Sequence, residues 1–220
     1  MKRDQAIQEM IRIGRRMYRR GYIVAAEGNL SLRASTEEIL VTASGVCKGE
    51  LTAADIIALD PKGKIIAGDK RVSTEVAMHL EVYRQRPEVQ AAIHAHPPYC
   101  IALMISGYSL DKPLLPEHVV LLGKVPKVPY ARPSTGQVPR SIIPWIRRTD
   151  VLLLDRHGSL TVGSSLAEAF LKLEVLEHAA KVYWAALQVG AVRELPGEEV
   201  RELLRLRQST YGIRWPVIPF

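Results

Sequence analysis

Apolar residues recur three and four apart through the start of the chain: Ile7, Met10, Ile11, Gly14, Met17 and Tyr18 share one side. That spacing predicts an amphipathic helix over 4–20, ended by Gly21. Arg12, Arg15, Arg16, Arg19 and Arg20 crowd its other side and read as a solvated face or part of a subunit contact. From 22 to 68 the period shortens to apolar runs cut by turn residues: YIVAA, NLSLR, EILVTA, IIALD and KIIAG. With DPKGK as a hairpin turn between the last two, this region predicts mostly antiparallel strands. Ser73 then opens a helix whose inward stripe is Val76, Ala77, Leu80 and Tyr83, and Pro87 closes it. VQAAIHAH reads as a strand stopped by Pro97-Pro98, and VPKVPYA and DVLLLDRHGSLTVG as further extended segments. Ser165 with Glu168 forms a capping box for a long helix that Gly190 ends, and 197–208 is a last helix. Alternating blocks of this kind predict one mixed sheet covered by helices on both faces, in a single domain over 1–220.

Composition narrows the class without choosing a function. At 220 residues, 47% hydrophobic and 24% charged, the chain is of globular type rather than disordered or fibrous. No apolar run approaches the roughly 18 residues of a membrane span, and the charged N-terminus lacks a signal-peptide core. Cys47 and Cys100 form no CxxC. A reduced, cytoplasmic protein that binds neither membrane nor nucleic acid is the expectation, aromatics being only 6% and no nucleic-acid motif being present. The net charge of +7 suits anionic ligands.

Candidate chemistry centres on His94-Ala95-His96. Residues i and i+2 of a strand point to one face, so both imidazoles project together at the end of an apolar strand. His157 closes the buried run Val151–Leu154 and precedes Gly158, again at a strand end. Three histidines with a coordination position left open form a catalytic type of zinc site; the alternative is three separately hydrogen-bonded strand-end residues. His79, His118 and His178 read as structural. Ser73-Thr74-Glu75 reads either as a helix cap or as an anion-holding helix start with Glu75 aimed at a metal. Gly28-Asn29 and Ser44-Gly45 are further small polar turns.

In order and distance, AEGNLSLR, ILVTASG, STEVAMH, HAHPP and DRHGSLTVG resemble the class II aldolase/adducin family over about residues 5–215. The resemblance implies a three-layer α/β/α sandwich with a mixed, largely antiparallel central sheet, assembled as a homotetramer. It implies a divalent metal, usually zinc, on His94, His96 and His157, with Glu75 as acid/base. Gly28, Asn29, Ser44, Gly45, Ser73 and Thr74 match its phosphate-binding positions. RQSTYGIR places Tyr211 in the position of a catalytic tyrosine. The implied reaction is reversible cleavage of a ketose 1-phosphate, such as L-fuculose 1-phosphate, to dihydroxyacetone phosphate and an aldehyde through a metal-stabilised enediolate.

Some aldolases of the family carry another tyrosine, in the loop after the HxH strand, as proton donor to the aldehyde oxygen. Here that loop reads LLPEHVVLLGKVP. Either Glu117 stands in or the substrate differs. The alternatives are a metal-dependent 4-epimerase, a methylthioribulose-phosphate dehydratase, or a non-catalytic adducin-like binding module. The tail 209–220, with Tyr211, Trp215, Val217, Ile218 and Phe220, is too apolar to lie in water. Its expected place is over its own subunit or, favoured by the resemblance, on a neighbour whose active site Tyr211 enters.

Overall fold

In the computed structural model, which describes residues 2–220, helix α1 (Arg3–Arg19) leads into strands β1 (Asn29–Arg33), β2 (Ile39–Thr42), β3 (Ile56–Leu59) and β4 (Ile65–Ala67). Then come α2 (Val76–Gln85), β5 (Ala91–Ala95), α3 (Pro98–Ile105), α4 (Pro116–Leu121), β6 (Lys127–Val128) and α5 (Gln137–Ile146). The chain finishes with β7 (Val151–Leu154), β8 (Gly158–Gly163), α6 (Leu166–Val189) and α7 (Gly197–Ser209). The eight strands form one sheet in the order β4-β3-β2-β1-β5-β8-β7-β6. Every neighbouring pair is antiparallel except β6 with β7.

The period-two alternation of the strands builds the layers. Leu30 and Leu32 of β1 and Ala91, Ile93 and Ala95 of β5 pack with Met10 and Met17 of α1 and Phe170 of α6. Residues of the opposite parity, including Ile39, Val41, Ala92, Leu160 and Val162, pack with Met78 and Val82 of α2 and Ile142 of α5. A third cluster joins Val151 and Leu153 of β7 to Cys100 and Leu103 of α3 and Leu176 of α6. The expected sandwich is therefore the fold. Ser165 Oγ accepts from the Glu168 amide at the start of α6, as the capping pattern predicts. Fully buried Lys172 ties α6 to the sheet by donating to the Val162 carbonyl and to Asp150, which Arg86 also engages.

Four local expectations are corrected. Residues 22–26 are not a strand: Ala25 takes a left-handed φ of +48°, and the segment turns back beneath α1. Helix α2 starts at Val76, and Ser73 Oγ accepts from the Glu75 amide in the preceding turn instead of capping the helix. Val76, Leu80 and Tyr83 of the expected stripe pack inward, joined by buried Met78, His79 and Val82, whereas Ala77 is exposed. Helices α3, α4 and α5 were hidden behind prolines. Pro98 and Pro116 occupy first-turn positions, where no intrahelical N–H is required.

The tail covers its own subunit. Trp215 Nε1 donates to the Leu121 carbonyl, Lys124 N donates to the Ile218 carbonyl, and Phe220 packs edge-on against His118. Tyr211 remains 58% exposed. No described helix is long and apolar enough to cross a membrane, and both cysteines are free thiols.

Candidate active site

Antiparallel register carries the chemistry to one end of the sheet. Asn29 at the start of β1 pairs with His94 near the end of β5, and Ala95 pairs with Ser159 at the start of β8. Glu27, two residues before β1, brings its carboxylate to His96, whose amide donates to the Tyr22 carbonyl. The hairpin turn between β7 and β8, with Arg156 at φ +57°, delivers His157 to the same place. The three histidines offer ring nitrogens that all lie within 4.8 Å of one another. His94 and His96 thus share a face as the strand period requires, and His79, His118 and His178 stand apart. His79 is buried against Ser31 Oγ, His118 is buried in α4, and His178 is exposed on α6.

Glu75, in the turn that opens α2, joins the cluster. Its Oε1 accepts from His157 Nε2 at 2.9 Å, and its Oε2 accepts from Asn29 Nδ2 at 2.9 Å and lies 3.5 Å from His94 Nε2. Burial raises the proton affinity of this carboxyl, but the hydrogen bonds from His157 and Asn29 and the imidazoles around it outweigh burial and hold the pKa at about 2. Burial drives His94 down to about 3, against the attraction of Glu75. Burial also lowers His96, against the pull of Glu27.

The donor set fits a cation. His94 Nδ1 lies 2.9 Å from the Ser159 carbonyl, and His96 Nδ1 lies 3.1 Å from the Glu27 carboxylate. Both partners can only accept, so each ring carries its proton on Nδ1 and leaves Nε2 as a bare lone pair. Those two Nε2 atoms face each other at 3.0 Å beside an ionised carboxylate, an arrangement of acceptors that a bound cation satisfies. Sequence reasoning missed Glu27 and the Ser159 carbonyl, because only the turn before β1 and the β5–β8 register place them.

The predicted anion turns converge on this end too. Asn29 and Ser73 line one small cavity. Ala43 bridges to Val72, and the Ser44 amide donates to the Arg71 carbonyl, which sets Ser44-Gly45 beside the 71–75 turn. Thr74 Oγ1 donates to Ser134 Oγ. Gly28 has a φ of +65°, and a Cβ there would lie 2.8 Å from the His94 carbonyl oxygen. Glu117 and Tyr211 are elsewhere in the subunit: they line a cavity of about 270 Å³ between α4 and α7, with no histidine of the cluster.

A mixed sheet between helix layers carries three histidines and a carboxylate at one end of its strands, and the Class II Aldolase and Adducin N-terminal domain family matches residues 8–184. The chain belongs to this family. It is 34% identical over 198 residues to the 3-oxo-tetronate 4-phosphate decarboxylase of Haemophilus influenzae, covering 88% of this chain and 93% of that one. It is 38% identical over 179 residues to the L-fuculose phosphate aldolase of Methanococcus vannielii, covering 80% and 94%. YgbL of Klebsiella pneumoniae, described as an aldolase, epimerase or decarboxylase, matches in structure with a TM-score of 0.85 at 35% identity, over 92% of this chain and 99% of that one.

Proposed function

We propose that this chain is a zinc-dependent lyase that forms dihydroxyacetone phosphate from a phosphorylated 3-oxo sugar acid by loss of CO2. His94, His96 and His157 would hold the metal, whose positive charge would stabilise the negative charge that develops on the substrate C3 oxygen when the carbon–carbon bond breaks. Asn29, Ser44, Gly45, Ser73 and Thr74, with the close approach that Gly28 allows, receive the phosphate through amides and small hydroxyls. In 3-oxo-tetronate 4-phosphate the C1–C2 bond breaks, CO2 leaves, and the electron pair passes into a C2–C3 enediolate. C2 then takes one proton, giving dihydroxyacetone phosphate. Glu75 delivers that proton; the negative charge of the bound substrate raises its proton affinity from the low value of the free site.

The observation that carries decarboxylation over aldol cleavage is the similarity to 3-oxo-tetronate 4-phosphate decarboxylases, at 34% and 36% identity over most of the chain. Aldol cleavage produces an aldehyde whose oxygen exchanges a proton with the protein, whereas departing CO2 needs no such group. Glu117 lies with Tyr211 in a cavity without the histidines, whereas Tyr130 stands between Pro129 and Ala131, which line a cavity with His157. The second reading is aldol cleavage of a ketose 1-phosphate, which the aldolase relative favours. It requires a homotetramer in which exposed Tyr211 of one subunit serves another's site. The test is product analysis of the zinc-loaded protein. Dihydroxyacetone phosphate with equimolar CO2 from 3-oxo-tetronate 4-phosphate, at higher kcat/KM than dihydroxyacetone phosphate from L-fuculose 1-phosphate, is expected. The reverse order supports the aldolase, and no dihydroxyacetone phosphate from either refutes both.

A further inference from the structure

Lys48 is only 1% exposed, and its ammonium donates at 2.8 Å to two main-chain carbonyls, those of Ala26 and Val46. Ala26 lies two residues before Gly28, and Val46 directly follows Gly45. One side chain thus spans the two separate turns assigned above to the substrate phosphate. Its own backbone is clamped from behind. The Lys48 carbonyl packs against Gly14 of α1, and Arg15 of the same helix donates to the Leu51 carbonyl. Among the described residues no acidic side chain pairs with it, so a cation is buried on carbonyl dipoles alone. Such burial is costly unless another charge compensates it. Burial lowers its pKa, opposed by Cys47 and then by Glu75, whose field reaches it across the site.

We propose that Lys48 is the positioning residue of the phosphate cradle, fixing the spacing of the 26–29 and 44–46 turns and presenting beneath them a positive charge that the bound phosphate compensates. The proposal rests on the phosphate reading of those turns. It assigns Lys48 to substrate affinity and not to the bond-breaking step, since its ammonium is committed to the Ala26 and Val46 carbonyls and makes no contact with Glu75 or the histidines.

The probe is inorganic phosphate, titrated calorimetrically into the zinc-loaded protein, alongside steady-state kinetics. In Lys48→Met the phosphate Kd and the substrate KM rise about tenfold or more, kcat stays within about threefold, and zinc content is unchanged. Lys48→Arg, which keeps charge and donors, recovers most of the phosphate affinity. A folded Lys48→Met that binds phosphate like the wild type overturns the proposal, as does a loss confined to kcat. Failure of the phosphate reading itself looks different: wild-type amides of 27–29 and 44–46 gain no hydrogen-exchange protection from saturating phosphate. Should Lys48→Met not fold, the wild type decides through 13Cε-labelled lysine, with Lys48→Arg assigning the signal. A Lys48 resonance that moves on phosphate binding supports the proposal, and one that does not move overturns it.

Discussion

Replacing Gly158 by alanine tests how closely the metal centre depends on the β5–β8 contact. Gly158 follows His157, and the β5–β8 register continued one step sets it opposite His96. A Cβ at this position would lie 2.2 Å from the Ala95 carbonyl oxygen and 2.9 Å from His96 Cδ2. A carbon and a carbonyl oxygen rest no closer than about 3.3 Å, so the strands must part by roughly 1 Å here. The obstacle is backbone and cannot rotate away. Overpacking of this kind costs about 1–3 kcal/mol, which for a chain of this length lowers Tm by roughly 2–4 °C per kcal/mol. The functional loss is of similar size, because misplacing reacting groups by about 1 Å costs on the order of 100-fold in rate, about 2.7 kcal/mol. Thermal unfolding of the metal-free protein reads the first effect, and zinc titration with turnover reads the second. A Gly158→Ala protein with wild-type Tm, zinc affinity and turnover would refute the reasoning.

Two further predictions follow from individual contacts. Glu75→Gln keeps the histidines and the Asn29 turn but removes the acid/base group; zinc and phosphate still bind, while turnover drops about 10²–10⁴-fold, and near wild-type turnover removes Glu75 from the mechanism. Asp55 is buried, and burial raises its proton affinity, but bonds from Lys70 at 2.5 Å and from Thr52 N and Oγ1 at 2.8 and 2.7 Å pull it below the usual value. A depressed folded pKa contributes stability that is present above the unfolded value of about 3.9 and is lost as pH falls through the folded value. Urea unfolding of Asp55→Asn should therefore show a deficit of about 1–3 kcal/mol at neutral pH that shrinks below about pH 4, and a deficit independent of pH contradicts the assignment.

Much of this protein is legible along the chain because its strongest signals are local. The three-and-four spacing marks α1, the Ser165–Glu168 pair and Gly190 mark both ends of α6, and the two-residue period alone puts His94 and His96 on one face. Short elements without such a period escape. Helix α3, PYCIALMI, is apolar all round, α5 holds Pro144 inside it, and YIVAA has strand composition but turns at Ala25. What only the tertiary structure decided is who meets whom across the sheet. Glu27 reaches His96 because the 22–28 turn folds against the end of β5, where the His96 amide donates to the Tyr22 carbonyl. Lys48 spans two turns because β2 returns antiparallel to β1 and brings their ends together against α1. Tyr211 is left exposed because the tail's other apolar side chains find α4 and α6 of their own subunit. Local propensity fixes dihedrals and faces within a few residues, whereas a site assembled from strand ends depends on register and packing between segments far apart in sequence.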